Sequence, residues 1–398
     1  MRRALTAVLA LGLVAAFARP AAAALCTIDP VPGATLLYPI FELDLDSPAT
    51  NDTVLTVQNV GGSAVIAHLT MWTDWAVPIL DLDIYLAGFD VQTLDMKELL
   101  LDGMLPVTGS AVSPHGPLAG PRVAFPGCNN TTTPGDGPVY HNPISSQLLG
   151  NLQLALTGNF SPMLGGCAGS NRGNRVARGY VTIDANGRCS LLFPTSATYF
   201  SSVTTRRNVL VGDLTILRPA AAHAVSLPAV ALEAAPEGQS VPGNRTFYGR
   251  YLNGDGSDAR EPLPTIFEAR YFNGGVFFGG GTDFFVWRET AGGSYGSVQC
   301  GTNPAWYPLA TQPVSYFNEQ EGVSDQNESF PIALDVQSTT SLGLPDQFGH
   351  AVLDLQHPGV TPLYGAPKAQ AWVGWLAVAP ARFAGSVPAA SFPVSCTP

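Results

Sequence analysis

The chain has 398 residues, of which 46% are hydrophobic and 12% are charged, and its formal net charge is −11. An acidic surface repels the phosphates of nucleic acids and of anionic lipids, so neither class is an expected partner. The 42 glycines and 34 prolines, set against that apolar content, exclude a disordered chain and predict many turns around a hydrophobic core.

Residues 1–24 have the features of an export signal. Two arginines open the segment, an apolar run from Ala4 to Phe17 follows, and small residues lead to Ala24. No later run reaches the about 20 apolar residues that a membrane-spanning helix needs. We therefore expect a bacterial protein that is secreted or periplasmic and has no transmembrane segment.

The next part of the chain predicts strands and then short helices. Residues 35–46, 53–58 and 64–73 have the alternation of strands with one buried face. Asp95 is a suitable N-cap for a helix at 96–101, and Ser145 is one for a helix that ends before Gly158. The second of these helices falls in an insertion at about residues 100–175, and the first ends where that insertion begins.

Two sets of carboxylates lie on predicted strands. Glu42, Asp44 and Asp46 alternate with leucines, so their side chains share one strand face. Paired carboxylates about 5 to 10 Å apart can hydrolyse glycosidic bonds, but nothing in the sequence supplies the opposite wall of a cleft. An exposed polar face is the favoured interpretation, and we interpret Asp81 and Asp83 in the same way.

Several segments recur in the same order later in the chain. The clearest pair is Val211–Ile216 (VGDLTI) with Val373–Val378 (VGWLAV), both with strand periodicity. The other pairs are Ile40–Glu42 with Ile266–Glu268, Thr53–Val57 with Thr282–Val286, Leu69–Asp74 with Val314–Glu319, Gly179–Asp184 with Gly349–Asp354, and Ser226–Ala229 with Ser386–Ala389. This internal repeat predicts one β-rich unit used twice.

The resulting fold prediction is all-β, with two tandem antiparallel Ig-like β-sandwich domains, the first carrying the partly helical insertion. The predicted domains are residues 25–235 and 263–398, joined by a polar linker at 236–262. In its layout the chain resembles tandem Ig-like domains of exported bacterial proteins. The resemblance covers no defined motif and implies only a fold.

The cysteines of an exported chain are expected to form disulfides. The six are Cys26, Cys128, Cys167, Cys189, Cys300 and Cys396, which allow three bridges. Six cysteines allow 15 pairings, and the sequence does not choose among them. If the two units fold separately, the simplest set pairs Cys128 with Cys167, Cys26 with Cys189, and Cys300 with Cys396.

The linker contains the segment NGDGSDARE, in which oxygen-bearing side chains recur at close spacing. Such a set suits calcium, whose shell takes six to eight oxygen atoms, although the match to an EF-hand loop is incomplete. The candidate ligands are Asn253, Asp255, Ser257, Asp258 and Glu261. The alternative is a solvated turn, and apart from calcium the sequence predicts no cofactor.

Most of the tryptophans are expected in a sandwich core, but Trp75 and Trp306 lie in predicted loops. An indole in a loop can stack against a sugar ring, so these two are candidate glycan-binding residues. The segment 292–296 satisfies GxSxG by letter, but the residues after it cannot form the helix that a serine nucleophile needs.

No catalytic residue is therefore predicted. The favoured function is a non-catalytic exported protein that binds a surface, a glycan or a protein partner through loops and strand edges. The alternatives are a carbohydrate-active enzyme and a structural subunit of a surface layer or fibre.

Overall fold

The computed structural model describes residues 31–106, 143–196, 198–236, 259–275, 279–289, 296–304, 312–342, 344, 346–355, 370–379 and 383–391. These residues are mostly β-strand, and the strands form four antiparallel sheets. The all-β prediction is confirmed. The predicted export signal lies outside the described residues.

The strands fall into two groups along the chain, which we call the first and the second unit. The first unit contains β1 (Thr35–Asp44), β2 (Asp52–Asn59), β3 (Val65–Thr73), β4 (Pro78–Leu86), β5 (Val91–Asp95), β6 (Val176–Asn186), β7 (Leu210–Arg218), β8 (His223–Pro228) and β9 (Val230–Leu232). The second unit contains β10 (Ile266–Phe272), β11 (Thr282–Arg288), β12 (Gln312–Asn318), β13 (Val323–Glu328), β14 (Leu334–Ser338), β15 (Phe348–Asp354), β16 (Ala371–Ala379), β17 (Phe383–Pro388) and β18 (Ala390–Ser391).

The described strands of the two units are arranged in the same order. The first unit has a five-stranded sheet, β4-β3-β6-β1-β9, and a four-stranded sheet, β5-β2-β7-β8. The second unit has the sheets β13-β12-β15-β10-β18 and β14-β11-β16-β17. Each strand of the second unit thus has the position of the strand nine places earlier.

The strand order of the two units agrees more closely than their amino-acid sequences do. Leu55 pairs with Leu214, and its counterpart Phe284 pairs with Trp375. The structural counterpart of Leu214 is therefore Trp375, although the sequence comparison matched Leu214 to Leu376. A shift of one residue moves every side chain to the other face of a strand, so the sequence comparison matched each residue of β7 to a residue of β16 that points to the opposite face.

The two central strands of the second unit's four-stranded sheet, β11 and β16, are buried on both faces. Phe284 and Val286 on β11 face the core of their own unit, whereas Phe285 and Trp287 belong to the large core that includes the first unit. Alternation along the strand explains this division, because successive side chains point to opposite faces. The second unit therefore packs against the first through an apolar sheet face.

The second unit packs on the outer face of the first unit's five-stranded sheet. Trp72 on β3 and Tyr180 on β6 stack there, with ring centroids 5.6 Å apart and planes 2° apart. Trp287 of the second unit meets Tyr180 edge-on at 5.8 Å. At another contact, the Ser386 hydroxyl donates to the Ser226 carbonyl oxygen at 3.0 Å.

The two predicted helices are confirmed. Ser145 caps α1 (Ser146–Leu156) by accepting a bond from the Leu148 amide, and a left-handed Gly158 follows with φ 69°. Asp95 precedes a helical turn that ends in the left-handed Gly103. A further short helix, α2, spans Tyr199–Ser202. Among the described residues, no helix is both long and apolar enough to cross a membrane.

The predicted disulfide pairing is wrong at two of its three bridges. Cys167 is bonded to Cys300, so neither Cys128–Cys167 nor Cys300–Cys396 forms. The prediction assumed that each unit closes its own bridges, but the loops around Cys167 and Val298 form a β-bridge between the units. Cys189 is also disulfide-bonded, and its pairing lies outside the described residues.

Candidate functional site

A cleft of about 580 Å³ lies between the units beside the Cys167–Cys300 disulfide. Its volume is within the usual range for small-molecule sites. The walls come from loops of both units and from the turn after β3. The lining residues are Trp75, Gly158, Asn159, Phe160, Cys167, Gly169, Ser170, Asn171, Cys300, Gly301, Thr302, Asn303, Pro331 and Ile332.

Trp75 forms one wall of the cleft. Its side chain is largely buried, and its indole NH donates to the Ser170 hydroxyl at 2.7 Å. The turn that holds it is fixed by Thr73, whose hydroxyl donates to the Ala168 carbonyl oxygen at 2.5 Å. The predicted loop tryptophan thus lines the cleft, and its contact with a sugar remains a prediction. Trp306 lies outside the described residues.

Phe160 supplies the exposed aromatic surface of the cleft. Its side chain is 55% exposed although it is large and apolar. The loop that carries it is anchored to α1, because the Asn151 amide oxygen accepts bonds from the Ser161 hydroxyl and the Met163 amide at 3.0 and 2.9 Å. The ring is therefore presented to solvent by an ordered loop.

Gly158 allows two loops of the cleft to approach closely. Its φ of +69° is rarely adopted by other residues, and a Cβ there would lie 2.2 Å from the Ser170 carbonyl carbon. No other residue fits this position without moving one wall.

The polar lining of the cleft, in the part of the chain that the structure describes, is uncharged. Amide and hydroxyl groups come from Asn159, Ser170, Asn171, Thr302 and Asn303, and no lysine, arginine, aspartate or glutamate is among these described lining residues. The Asn171 amide donates to the Asn159 amide oxygen at 3.2 Å, which orients both side chains. Such groups can both donate to and accept from hydroxyls of a neutral ligand.

Charges near the cleft neutralise each other. Arg172 lies 2.7 Å from a carboxylate oxygen of Asp74, whose other oxygen accepts a bond from the Ser170 amide. Burial raises the pKa of Asp74, and the Arg172 guanidinium and the Ser170 bonds act in the opposite direction. The pair supports the wall and leaves the described lining itself neutral.

Comparisons with known proteins provide no relative for this cleft. No protein-family model matches the chain, and the comparisons with curated proteins and with solved structures found no match. The chemistry of the cleft is therefore inferred from its own side chains.

Most of the cleft was missed at the sequence level, although a signal exists. Cys167 begins the segment CAGSN and Cys300 begins CGTN. After each bonded cysteine come glycine, then serine or threonine, then asparagine, with one additional residue, Ala168, between Cys167 and its glycine. The disulfide brings these two similar segments to opposite sides of one cleft.

A second group of polar residues is buried on the outer face of the first unit's five-stranded sheet, the face that also carries Trp72 and Tyr180. Asp81 and Asp83 were predicted to be exposed, which is wrong, because only 4% and 2% of their surfaces are accessible. The alternation of apolar and polar residues shows that a strand has two faces. It does not show that other parts of the chain cover the polar face as well. The buried polar layer consists of Thr35, His68, Thr70, Asp81, Asp83, Thr182, Asp184, Tyr199 and Arg260.

Most of the charged groups in the buried polar layer are paired. His68 Nδ1 lies 2.7 Å from an Asp83 oxygen, and the Tyr199 hydroxyl donates to Asp184 at 2.6 Å. The Arg260 guanidinium lies 3.5 Å from the other Asp184 oxygen. Because these side chains are all at most 4% exposed, the layer cannot contact a substrate. We assign it a structural role.

The buried layer predicts a pH dependence of stability. Burial raises the pKa of Asp81 from 3.8 to about 6, with Asp83 adding to the rise and His68 opposing it. Because the pKa of Asp81 is higher in the folded than in the unfolded chain, deprotonation of Asp81 disfavours the folded state. The contribution of Asp81 to stability is therefore fully present below about pH 4 and is lost as the pH rises through about 6. The contribution lost is about 3 kcal/mol. His68, whose pKa is raised by Asp83 against the effect of burial, changes stability in the same direction.

We therefore expect Asp81→Asn to reduce the fall in unfolding free energy between pH 4 and pH 7. Urea unfolding at several pH values measures this slope. Asp102→Asn is the matched control, because Asp102 is exposed. Equal slopes for wild type and Asp81→Asn would contradict the assignment.

Glu42 was also predicted to be exposed, and it is buried. Arg178 Nε and the Asn51 amide donate to its two carboxylate oxygens at 2.6 and 2.7 Å. Burial raises the pKa of Glu42, but these partners outweigh burial and hold it below its usual value. Asp44 is half-buried and Asp46 is exposed, so the three carboxylates do not form one exposed face.

The predicted calcium ligands Asn253, Asp255, Ser257 and Asp258 lie outside the described residues, as does most of the GxSxG segment. Only Glu261 is described, and its amide donates to the Glu233 carbonyl oxygen at 2.8 Å. Within the described ranges, no group of three or more His, Cys, Asp or Glu is arranged to hold a metal ion. Calcium binding in the linker remains a prediction.

Proposed function

We propose that this chain is a non-catalytic exported protein that binds a glycan in the cleft between its two units. The observation that carries the proposal is the lining of that cleft: an exposed aromatic ring, Phe160, beside uncharged amide and hydroxyl groups. The predicted export signal and the oxidised cysteines support a location outside the cytoplasm. The common strand order supports two related Ig-like sandwiches.

A saccharide matches both parts of the lining. Its ring has an apolar C–H face that can pack on an aromatic side chain, and its rim carries hydroxyls that are both donors and acceptors. Asn159, Asn171 and Asn303 offer amide groups with the same dual capacity. The absence of charge among the described lining residues favours a neutral sugar over a uronic or sialic acid.

A carbohydrate-active enzyme has less support. Hydrolysis of a glycosidic bond uses two carboxyl groups on either side of the bond. Among the described residues that line the cleft there is no aspartate or glutamate. Glu42, the first residue of the predicted catalytic face, is buried and ion-paired with Arg178.

We expect Phe160→Ala to lower the affinity for a glycan at least about 10-fold, because the mutation removes the exposed ring of the cleft. A glycan array, run with and without calcium, identifies a ligand, and isothermal titration calorimetry then measures its affinity. The matched control is Phe89→Ala, since Phe89 is 71% exposed and does not line the cleft.

Two outcomes would remove the proposal. One is the absence of binding to any glycan on the array. The other is a glycan whose affinity is the same for wild type and for Phe160→Ala.

A further inference from the structure

The end of β13 carries the tripeptide Asn327-Glu328-Ser329, which has the N-x-S/T pattern of an N-glycosylation acceptor. The full sequence contains six such tripeptides, beginning at Asn51, Asn129, Asn130, Asn159, Asn244 and Asn327. Only the last of them has an acidic residue, Asp325, two positions before the asparagine. Asn327 therefore differs from the other five in its sequence context.

The structure exposes the acid, the amide and the hydroxyl of this segment together. Asp325, Asn327 and Ser329 are exposed, whereas Glu328 and Phe330 between and after them are buried. Strand alternation explains the pattern, because side chains two residues apart point to the same face and lie roughly 7 Å apart. An enzyme can therefore contact all three groups from one side.

Asn327 lies near the end of an edge strand. Among the described strands, β13 pairs only with β12, and it ends at Glu328. The Tyr316 hydroxyl donates to the buried Glu328 carboxylate at 3.2 Å, which fixes the inward side of the strand end. The end of an edge strand opens at low cost in free energy, so the acceptor backbone can adapt to an active site.

Two other acceptor tripeptides are described, and both are held inside the fold. The Asn51 amide donates to a Glu42 carboxylate oxygen at 2.7 Å, and the fully buried Thr53 hydroxyl donates to the Glu42 carbonyl oxygen at 2.9 Å. In the tripeptide that begins at Asn159, Ser161 is fully buried and its hydroxyl donates to an amide oxygen on α1 at 3.0 Å. Neither hydroxyl is accessible to an enzyme in the folded chain. Three tripeptides lie outside the described residues, those at Asn129, Asn130 and Asn244.

We propose that Asn327 is a site of N-linked glycosylation, modified from a lipid-linked oligosaccharide by a transferase on the export side of the membrane. The Asn327 amide nitrogen forms a bond to C1 of the first sugar, and the bond between C1 and the lipid pyrophosphate breaks. The pyrophosphate leaves with the electron pair of that bond, and a base of the transferase takes one amide proton. The Ser329 hydroxyl and the Asp325 carboxylate position the acceptor, because an exposed carboxylate can pair with a basic side chain of the enzyme.

Glycosylation at Asn327 requires the exported location that belongs to the proposed function, and it does not require the cleft. It also has a physical consequence for the free edge of β13. An edge strand presents unpaired backbone groups to which another chain can add, and Val323 on this strand is 56% exposed. A bulky, hydrated glycan on Asn327 covers this edge and keeps other chains away from it.

Glycan transfer to the folded chain, purified without its predicted signal and with its disulfides intact, tests the proposal. The assay uses a bacterial oligosaccharyltransferase and its lipid-linked oligosaccharide, and a reference acceptor peptide in the same tube reports that the enzyme is active. Intact mass spectrometry should show one added oligosaccharide, and peptide mapping should place it on Asn327. Asn51 and Asn159 should stay unmodified.

Variants separate recognition of the segment from its folding. Asn327→Gln should abolish transfer, and Ser329→Ala should lower its rate at least about 10-fold because a recognised hydroxyl is lost. Asp325→Asn should lower the rate by a similar factor, although it keeps an acceptor for the Ser315 hydroxyl 2.6 Å away. Asp325→Glu should retain most of the rate, because it keeps the charge. Glu319→Ala is the matched control, since Glu319 is an exposed acid of the same hairpin outside the acceptor segment.

An unmodified Asn327 beside a modified reference peptide would overturn the proposal, and so would a glycan found only on another asparagine. Equal rates for wild type and Asp325→Asn would overturn the role assigned to Asp325. Phe160→Ala should leave transfer to Asn327 unchanged, and Asn327→Gln should leave the affinity of the cleft for its glycan unchanged. These two variants separate the failure of this proposal from the failure of glycan binding in the cleft.

Discussion

Replacing Arg260 by methionine should lower the free energy of unfolding by about 3 to 5 kcal/mol. The arginine is 1% exposed and lies 3.5 Å from Asp184, which is fully buried. Removing one partner of a buried ion pair leaves the other charge without compensation in a medium of low polarity. The remaining bonds from Thr35 and Tyr199 only partly stabilise the Asp184 carboxylate.

Urea unfolding followed by circular dichroism measures this loss. Arg175→Met is the matched control, because Arg175 and its partner Asp46 are more than half exposed and the expected loss is under about 0.5 kcal/mol. Adding Asp184→Asn to Arg260→Met should cost less than the two single losses together, since the neutral amide removes the unpaired charge. A loss below about 1 kcal/mol for Arg260→Met would show that the pair is not important.

The Cys167→Ser/Cys300→Ser double variant should also lose about 2 to 5 kcal/mol of stability. The two cysteines are 133 residues apart in the sequence, and a bridge across so long a segment strongly restricts the unfolded chain. In the folded state the bridge ties a loop after α1 to a loop of the second unit. Both loops line the cleft, so we expect the affinity for the glycan to fall as well.

Differential scanning calorimetry of the wild type and of the double variant tests the stability effect, and titration with the identified glycan tests the binding effect. Non-reducing peptide mapping confirms which bridges remain. Ser297→Ala is a useful control, because it removes a nearby contact with the Leu164 carbonyl oxygen and leaves the disulfide in place. A melting temperature unchanged within about 1 °C would contradict the expected role of the bridge.

Local features of the fold could be predicted from the sequence. The matched segments lie on strands, except that four of them extend one residue beyond the strand end. One helix begins after Ser145 and the other ends at Gly103, as the sequence indicated. These signals depend on neighbours a few residues away, so they survive in any tertiary context. Trp75, predicted to lie in a loop, does lie in a turn and lines the cleft, and its binding of a glycan stays a prediction.

Contacts between the units could not be predicted in this way. Apolar and polar residues alternate around Asp81, Asp83 and Glu42, which predicts one buried and one exposed face for each strand. Whether the polar face is also buried depends on how other segments of the chain pack against it. The same reason explains the wrong disulfides, since Cys167 and Cys300 lie in different units and their pairing depends on how the units pack. Arg260, placed by the sequence in a polar linker, is buried under the first unit.

The sheet that is apolar on both sides makes the two units depend on each other. Phe285 and Trp287 are covered by the first unit, and Trp287 in turn covers Tyr180 of the first unit. Expressed without the first unit, the second unit would expose Phe285 and Trp287 to solvent, and an exposed apolar patch of this kind favours aggregation.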